Sequence, residues 1–412
     1  MAVEVDDAVI VRELLNAGAK DVNAEIETSG GDARFPLVNY GAYNGNLEIV
    51  KALCAQGADI RKLSYEFNPE GAPILESVLS GGNRYGSYRH TVRDVSDALD
   101  RQRRTEIFRL LLARGAKYEP HSKEGHSLLC AACEADFLEV TGDLLQAGVP
   151  PNAKPEWLDY PYEYSPLDAA VSNDDIALIK ILIQHGASPR DSHSEPPILY
   201  VRSPETARLL LEHGADIHAV QQRGKHQGFN ALNYACQREN TKVVSFLIER
   251  GLDVNAGGPI REAALYGGVE IVRLLLQHGA KVGPKSSGSD ALAVAIGESH
   301  FDSAQLLLRY GADVNATEDR PLTEAVLQGD PSMVLDLLKR GATVNAGRGE
   351  ALLMACADCD EDLVAILLRH GADPRVQQSD GTTAFQAAHE NEEDPGDAEG
   401  IIALLKEYGA KP

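Results

Sequence analysis

In the stretch "GGVEIVRLLLQHGAKV", residues 267–282, Val269, Ile271, Val272, Leu274, Leu275 and Leu276 cover one broad face of a 3.6-residue period. The pattern predicts an amphipathic helix. Gly279 ends it, because a left-handed cap is cheap only for glycine. His185, His213, His278 and His370 each precede such a glycine, where a ring N–H or a partly protonated ring meets the last carbonyls. A shorter helix is predicted at "SPLDAAV", "RPLTEAV" and "GPIREAA", with Ser165 as N-cap and Pro166, Pro321 and Pro259 in the first turn. Ala169, Ala170, Ala263, Ala264 and Ala325 are small enough for the paired helices to approach closely. Each unit is therefore a helix–turn–helix whose apolar face needs a neighbour.

The same phrase is rewritten along the whole chain: "LLNAGAKDVNA", "LLQAGVPPNA", "LLEHGADIHA", "LIERGLDVNA", "LLRYGADVNA", "LLKRGATVNA", "LLRHGADPRV". Its glycine falls at Gly18, Gly57, Gly115, Gly148, Gly186, Gly214, Gly251, Gly279, Gly311, Gly341, Gly371 and Gly409. The spacings run from 28 to 58 residues and centre near 33, so about twelve units account for nearly all 412 residues.

A period near 33 with Pro-Leu helix starts, paired alanines and "GADVNA" returns resembles the ankyrin repeat over essentially the whole chain. The resemblance implies an all-α solenoid, residues 1–412 forming one array of stacked helix–turn–helix units with projecting finger loops, elongated into an arc. Residues 1–34 are expected to form an N-terminal partial or capping repeat. The family pattern puts Thr-Pro-Leu-His at the first helix, and no unit here keeps all four. Asp168, Thr323 and Arg261 stand where the histidine belongs, which puts the usual hydrogen-bonded tie between repeats in question.

Departures from the repeat are where function is expected, since insertions map to exposed loops on one face. Fingers in the C-terminal half are clipped, whereas earlier ones are long and carry Tyr65, Phe67, Trp157, Tyr160, Tyr162, Tyr164 and Phe229. In the finger at 149–165, the stretch 155–166 holds the one tryptophan and three prolines, Pro155, Pro161 and Pro166, that exclude a regular helix through it. Such rings either fold back on a neighbouring finger or stand open as binding anchors. A basic insertion at 80–106 gathers Arg84, Arg89, Arg93, Arg101, Arg103 and Arg104 with Tyr85 and Tyr88, and its end reads as a helix lengthened by several turns. It is either a solvated face of Asp–Arg pairs or a dock for an acidic or phosphorylated segment. Arg223, Lys225 and His226 sit in the finger that carries Phe229. An acidic insertion at 390–400, "ENEEDPGDAEG", reads as solvated.

Net charge is −23 with a pI near 4.9, which argues against nucleic-acid or anionic-membrane partners. "MAVEVDDAVI" lacks a basic secretion-signal start, no run of about 18 apolar residues occurs, and six cysteines suit a reducing compartment. Cytosol or nucleus is the expected location. His121, His126, Cys130 and Cys133 are donors of zinc type, but Cys133, Cys236 and Cys356 share one repeat position, which points to packing. No nucleotide, metalloprotease or serine-hydrolase motif is present. Asn255, Asn315 and Asn345 read as turn asparagines bonding their own backbone; in ankyrin arrays such residues resemble targets of asparaginyl hydroxylases.

The function expected is non-catalytic: a scaffold or adaptor without cofactor or metal, binding proteins through the concave side of its N-terminal two-thirds. The alternative is an unorthodox enzyme or small-molecule binder using a pocket of finger aromatics. An adaptor of a ubiquitin ligase carries an extra box after its repeats; the ending "LLKEYGAKP" counts against that role. If the Trp157 finger is a binding shelf, free-protein emission is red-shifted and quenched by acrylamide. Trp157→Ala then costs well under the roughly 3–5 kcal/mol of a buried aromatic. Blue emission with a large stability loss identifies a structural cap instead.

Overall fold

The computed structural model describes residues 22–27, 34–61, 74–80, 98–152, 165–190, 195–222, 224–283, 286, 288–316, 321–377, 381–390 and 395–410. Two compact units divide the chain, Met1–Asp216 and Ile217–Pro412. In both, a first helix is followed by an antiparallel second helix. First helices pack on first helices of neighbouring repeats, and second helices on second. The fold is the all-α ankyrin solenoid that the repeat pattern implies.

In the first unit the helix pairs are Leu37–Tyr43 with Leu47–Ala55, Ile74–Ser80 with Ala98–Ala113, Lys123–Glu134 with Leu138–Gln146, and Pro166–Ser172 with Ile176–Gln184. The next repeat replaces its first helix by a 3-10 turn, Pro197–Tyr200, before Pro204–Glu212. Pro196 and Pro197 lack the N–H groups a longer helix would use. The finger before Leu37 contains the strands Glu25–Glu27 and Arg34–Pro36, paired antiparallel with Ile26 opposite Phe35.

The second unit runs Ala231–Gln237 with Thr241–Glu249, Pro259–Tyr266 with Val269–Gln277, Ala291–Gly297 with Phe301–Arg309, and Pro321–Leu327 with Pro331–Lys339. Ala346–Ala357 with Glu361–Arg369 and Ala384–Glu390 with Pro395–Glu407 follow. Most second helices have nine residues; Ala98–Ala113 has 16, about two turns more, as the lengthened pattern there predicts.

Second helices end alike for one reason. Gly57, Gly115, Gly148, Gly186, Gly214, Gly251, Gly279, Gly311, Gly341, Gly371 and Gly409 all take φ between 81° and 99°. A Cβ at these positions would meet nothing within 4 Å, so glycine is kept there for its backbone and not for space. His185, His213, His278 and His370 bring Nδ1 to 2.8–2.9 Å of the carbonyl four residues back, the cap contact expected of them. The core between helices is Leu, Val, Ile and Ala. Cys133, Cys236 and Cys356 lie fully buried in it, their thiols pushed up by desolvation.

Ties between successive fingers come from asparagines, while His300 brings Nδ1 to 3.0 Å of Ala264 O in the preceding repeat. Asn315 donates Nδ2–H to Gly341 O at 3.0 Å and accepts Thr343 N–H at 2.7 Å. Asn345 does the same to Gly371 O (3.0 Å) and Asp373 N (2.8 Å), and Asn255 to Gly279 O (3.3 Å) and Lys281 N (2.8 Å). Asn152 clamps Gly186 O and Ser188 N, at 2.7 and 2.9 Å. These side chains bond the next repeat's backbone, not only their own turn, so they differ from the local role expected of them. Where the histidine is missing, Asp168 closes a capping box with Ser165, and Arg261 reaches Asp290 of the next repeat at 2.6 Å.

Arg104, part of the basic insertion, is structural. It is 3% exposed and ties Asp100 Oδ2 (2.9 Å) to Val78 O (2.9 Å), which supports the Asp–Arg pairing for this end of the insertion. Gly45 makes room for the pair: a Cβ there would lie 2.6 Å from Asp100 Oδ1.

Two substitutions separate the contributions. Asn315→Ala removes both bonds of one clamp and is expected to cost about 1–2 kcal/mol. Gly341→Ala forces an L-residue to φ 94° in open space and is expected to cost a similar amount, about 1–2 kcal/mol, through strain alone. Urea unfolding of the full chain measures both.

Candidate protein-interaction surface

Tyr65, Phe67, Arg84, Tyr85, Tyr88, Arg89, Trp157, Tyr160, Tyr162, Tyr164 and Arg223 lie outside the described residues. So do most of the insertion at 80–106 and of the aromatic finger at 149–165, and part of the acidic insertion at 390–400. Of the sequence-predicted set, Lys225, His226 and Phe229 are described, and they share one finger.

That finger is a hairpin whose ends, Val220 and Asn230, form an isolated antiparallel bridge. Gln221 N donates to Phe229 O (2.7 Å), Gly228 N to Gln221 O (2.9 Å) and Phe229 N to His226 O (3.0 Å). Gly224 and Gly228, at φ 79° and 88°, supply the left-handed turns this requires. At its base Asn230 and Asn233 cap each other's helix start, and both reach the next finger, at Ala256 O (3.2 Å) and Gly257 O (2.8 Å). The platform is thus fixed at both ends.

On it the His226 and Phe229 rings lie 4.8 Å apart, and both meet Tyr234 at 6.2 and 6.0 Å in edge-on geometry. The Arg238 guanidinium lies 5.5 Å from the centre of the Tyr234 ring. Tyr234 is buried, His226 and Phe229 are half-buried, and Lys225 is exposed. Tyr234 and Arg238 were not among the sequence candidates. The signal was available: Tyr234 takes the place in its repeat that Ala169 and Glu262 take in theirs, and a ring there must lie against the finger.

The turns joining the two helices carry a different pattern, with Asp136, Asp174, Glu239, Ser299 and Cys359 at positive φ. Asp174 accepts hydrogen bonds from the Ser203 and Thr206 hydroxyls of the next repeat. Asp136 pairs with Arg101 at 3.3 Å and faces Asp175, the N-cap that accepts Ala177 and Leu178 N–H. Desolvation and the neighbouring Asp175 carboxylate push the Asp136 carboxyl up to about 6, against the pull of Arg101. His126, one of the zinc-type donors whose setting in the sequence points to packing, is buried with Nε2 3.4 Å from Cys130 Sγ; desolvation holds it down to about 4. Among the described residues no three His, Cys, Asp or Glu side chains converge to hold a metal ion. Nor is any helix among them long and apolar enough to cross a membrane.

Two-helix units, glycine-ended and clamped finger to finger, define a repeat solenoid. The chain carries ankyrin repeats: the family model described as "Ankyrin repeats (3 copies)" matches residues 194–258 and 257–318. The Caenorhabditis elegans protein "Ankyrin repeat and KH domain-containing protein mask-1" is 26% identical over 68% of this chain and 10% of its own length. The mouse "B-cell lymphoma 3 protein homolog" is 31% identical over 39% of each chain. Human "Ankyrin repeat and SOCS box protein 6" is 27% identical over 62% of this chain and 67% of its own. The chain thus spans a tenth and about two-fifths of the first two relatives. A solved structure, the human ASB11 ankyrin repeat domain, is 20% identical with a TM-score of 0.42, covering 51% of this chain and 94% of its own.

The Asp136 shift makes a signed prediction. A carboxyl raised from 3.8 to about 6 stabilises the fold fully below its unfolded value, and that contribution is lost as pH rises from about 4 to about 6. Asp136→Asn escapes the loss, and asparagine accepts the φ of 62°. The variant is expected to exceed the parent at pH 7.5 by roughly 1 kcal/mol, discounted for a half-exposed site, with the gain gone below about pH 4. Urea midpoints at both pH values check it.

Proposed function

We propose that the chain is a non-catalytic interaction scaffold that binds partner proteins through its long fingers and the helix faces beside them. Ankyrin repeats are protein-interaction domains, and their family members are generally non-enzymatic. One observation carries the reading here: the Val220–Asn230 finger is held rigid at its base while it presents Lys225, His226 and Phe229. Rigid placement lowers the ordering cost of binding, and aromatic side chains such as Phe229 are enriched at protein interfaces. The long fingers with Tyr65, Phe67, Trp157, Tyr160, Tyr162 and Tyr164, and the insertion with Arg84, Tyr85, Tyr88 and Arg89, belong to the same proposal. Lys225, exposed on the finger of an acidic chain, favours partners whose docking segment is not itself strongly basic at that point.

The test is affinity capture with mass spectrometry, comparing the intact chain with two double variants, Lys225→Glu/Phe229→Ala and Trp157→Ala/Tyr162→Ala. A partner retained by the parent is expected to lose at least tenfold in affinity with one variant or both. Urea midpoints are expected to move by less than about 1 kcal/mol. Equal capture by all three proteins overturns the finger assignment.

A further inference from the structure

The turn between the helices Lys123–Glu134 and Leu138–Gln146 sets one carboxyl group between two other repeats. Asp136 sits in that turn at φ 62°, and its side chain meets a neighbour on each side. From the preceding repeat comes Arg101, whose Nη1 lies 3.3 Å from Asp136 Oδ2. From the following repeat comes Asp175, whose side chain shares a hydrogen bond with that of Asp136. Asp175 is held in place because it caps the helix Ile176–Gln184, accepting Ala177 N–H at 2.8 Å and Leu178 N–H at 2.9 Å.

Two carboxylates in contact repel each other, and one proton between them turns the repulsion into a hydrogen bond. The proton belongs on Asp136, since the two N–H groups given to Asp175 favour its ionised form. Other polar groups of these turns are engaged elsewhere. Asp174 accepts the Ser203 and Thr206 hydroxyls, and the Glu134 carbonyl accepts Asn173 Nδ2–H at 2.8 Å. The Cys133 thiol faces Asp175 and is kept neutral by burial, pushed up to about 12. Arg101 and Asp175 are therefore the charges that act on Asp136.

Arg101 lies in the two turns by which Ala98–Ala113 exceeds the other second helices. That end is fastened at two points. Arg104, 3% exposed, joins Asp100 to Val78 O within its own repeat. The Arg101–Asp136 pair, with side chains 30% and 37% exposed, is the tie to the next repeat, and it depends on the Asp136 charge.

We propose that Asp136 is a proton-operated latch with two alternative partners. Ionised, it holds Arg101 and fastens the extra turns of Ala98–Ala113 to its own repeat. Protonated, it releases Arg101 and donates to Asp175, so that the tie passes to the following repeat. Desolvation and Asp175 push the Asp136 carboxyl up to about 6, which places the change of partner there. Overall stability follows the sum of the two contacts; the latch lies in their redistribution between repeats. Residues 98–104 belong to the basic insertion at 80–106, so the latch sets how firmly that end of the insertion is held.

Hydrogen exchange of the full chain, read by mass spectrometry and corrected for intrinsic rates, tests the change of partner. Amides of 102–105 are expected to lose about two- to fivefold in protection from pH 7.5 to pH 5, while amides of 108–112 in the same helix keep theirs. Asp136→Asn, uncharged at both pH values, and Arg101→Gln are each expected to show the weaker protection throughout. Asp175→Asn keeps an N-cap oxygen but removes the carboxylate, and is expected to lower the midpoint by about half a pH unit or more. Urea midpoints at pH 7.5 show that the variants are folded. The latch is overturned if the parent's protection at 102–105 is the same at both pH values. It is overturned equally if Asp136→Asn or Arg101→Gln keeps the parent's pH dependence, or if 108–112 change as much as 102–105.

Discussion

The contact on which the rest of this molecule depends is the clamp between one finger and the next. A repeat of two short helices buries too little apolar surface to stand alone, so each needs its neighbour in a fixed register. The left-handed glycine turns the chain out of the second helix and leaves its carbonyl facing backward. The preceding repeat's asparagine takes that carbonyl and the N–H two residues on, as Asn315 does with Gly341 and Thr343. One side chain thereby satisfies a donor and an acceptor across a repeat boundary. Asn152, Asn255 and Asn345 repeat the arrangement. Without it the helices would still form, but the fingers would have no common spacing on which to mount a binding surface.

Regular spacing makes the exceptions informative. The Val220–Asn230 finger is long enough to fold into a hairpin, and its rings are braced from below by Tyr234. At 345–350 the chain turns instead through three left-handed residues, Gly347, Arg348 and Gly349. Once the first helix and the clamp are fixed, the number of residues between them decides whether a finger covers its neighbour or exposes it.

Charge acts in a similar way. The chain is strongly acidic, yet buried or paired cations hold its helices together: Arg104 joins Asp100 to Val78 across the helix pair of one repeat, and Arg261 reaches Asp290 of the next. The cost of an unpaired buried arginine is high, so these cations are committed to structure and unavailable to a partner. Lys225 is exposed and carries no such commitment. The helix-joining turns show the opposite case. Asp136 and Asp175 approach each other with only Arg101 to offset them, and the protonation of Asp136 becomes linked to folding.

The sequence by itself determined the helices, their ends and the family. Those rest on local physics: a 3.6-residue apolar period, a glycine that alone takes the left-handed cap, and prolines and serines that start a helix. It also marked Lys225, His226 and Phe229 as a finger group, because insertion length and residue type are visible in one dimension. Only the tertiary structure decided that the "DVNA" asparagines bridge repeats. Their partners lie some 24–36 residues away, and a turn asparagine looks the same whether it bonds its own backbone or the next. Only it could place Arg104 inside and Lys225 outside, since arginines in one acidic-basic run differ by which face of a helix meets a neighbour.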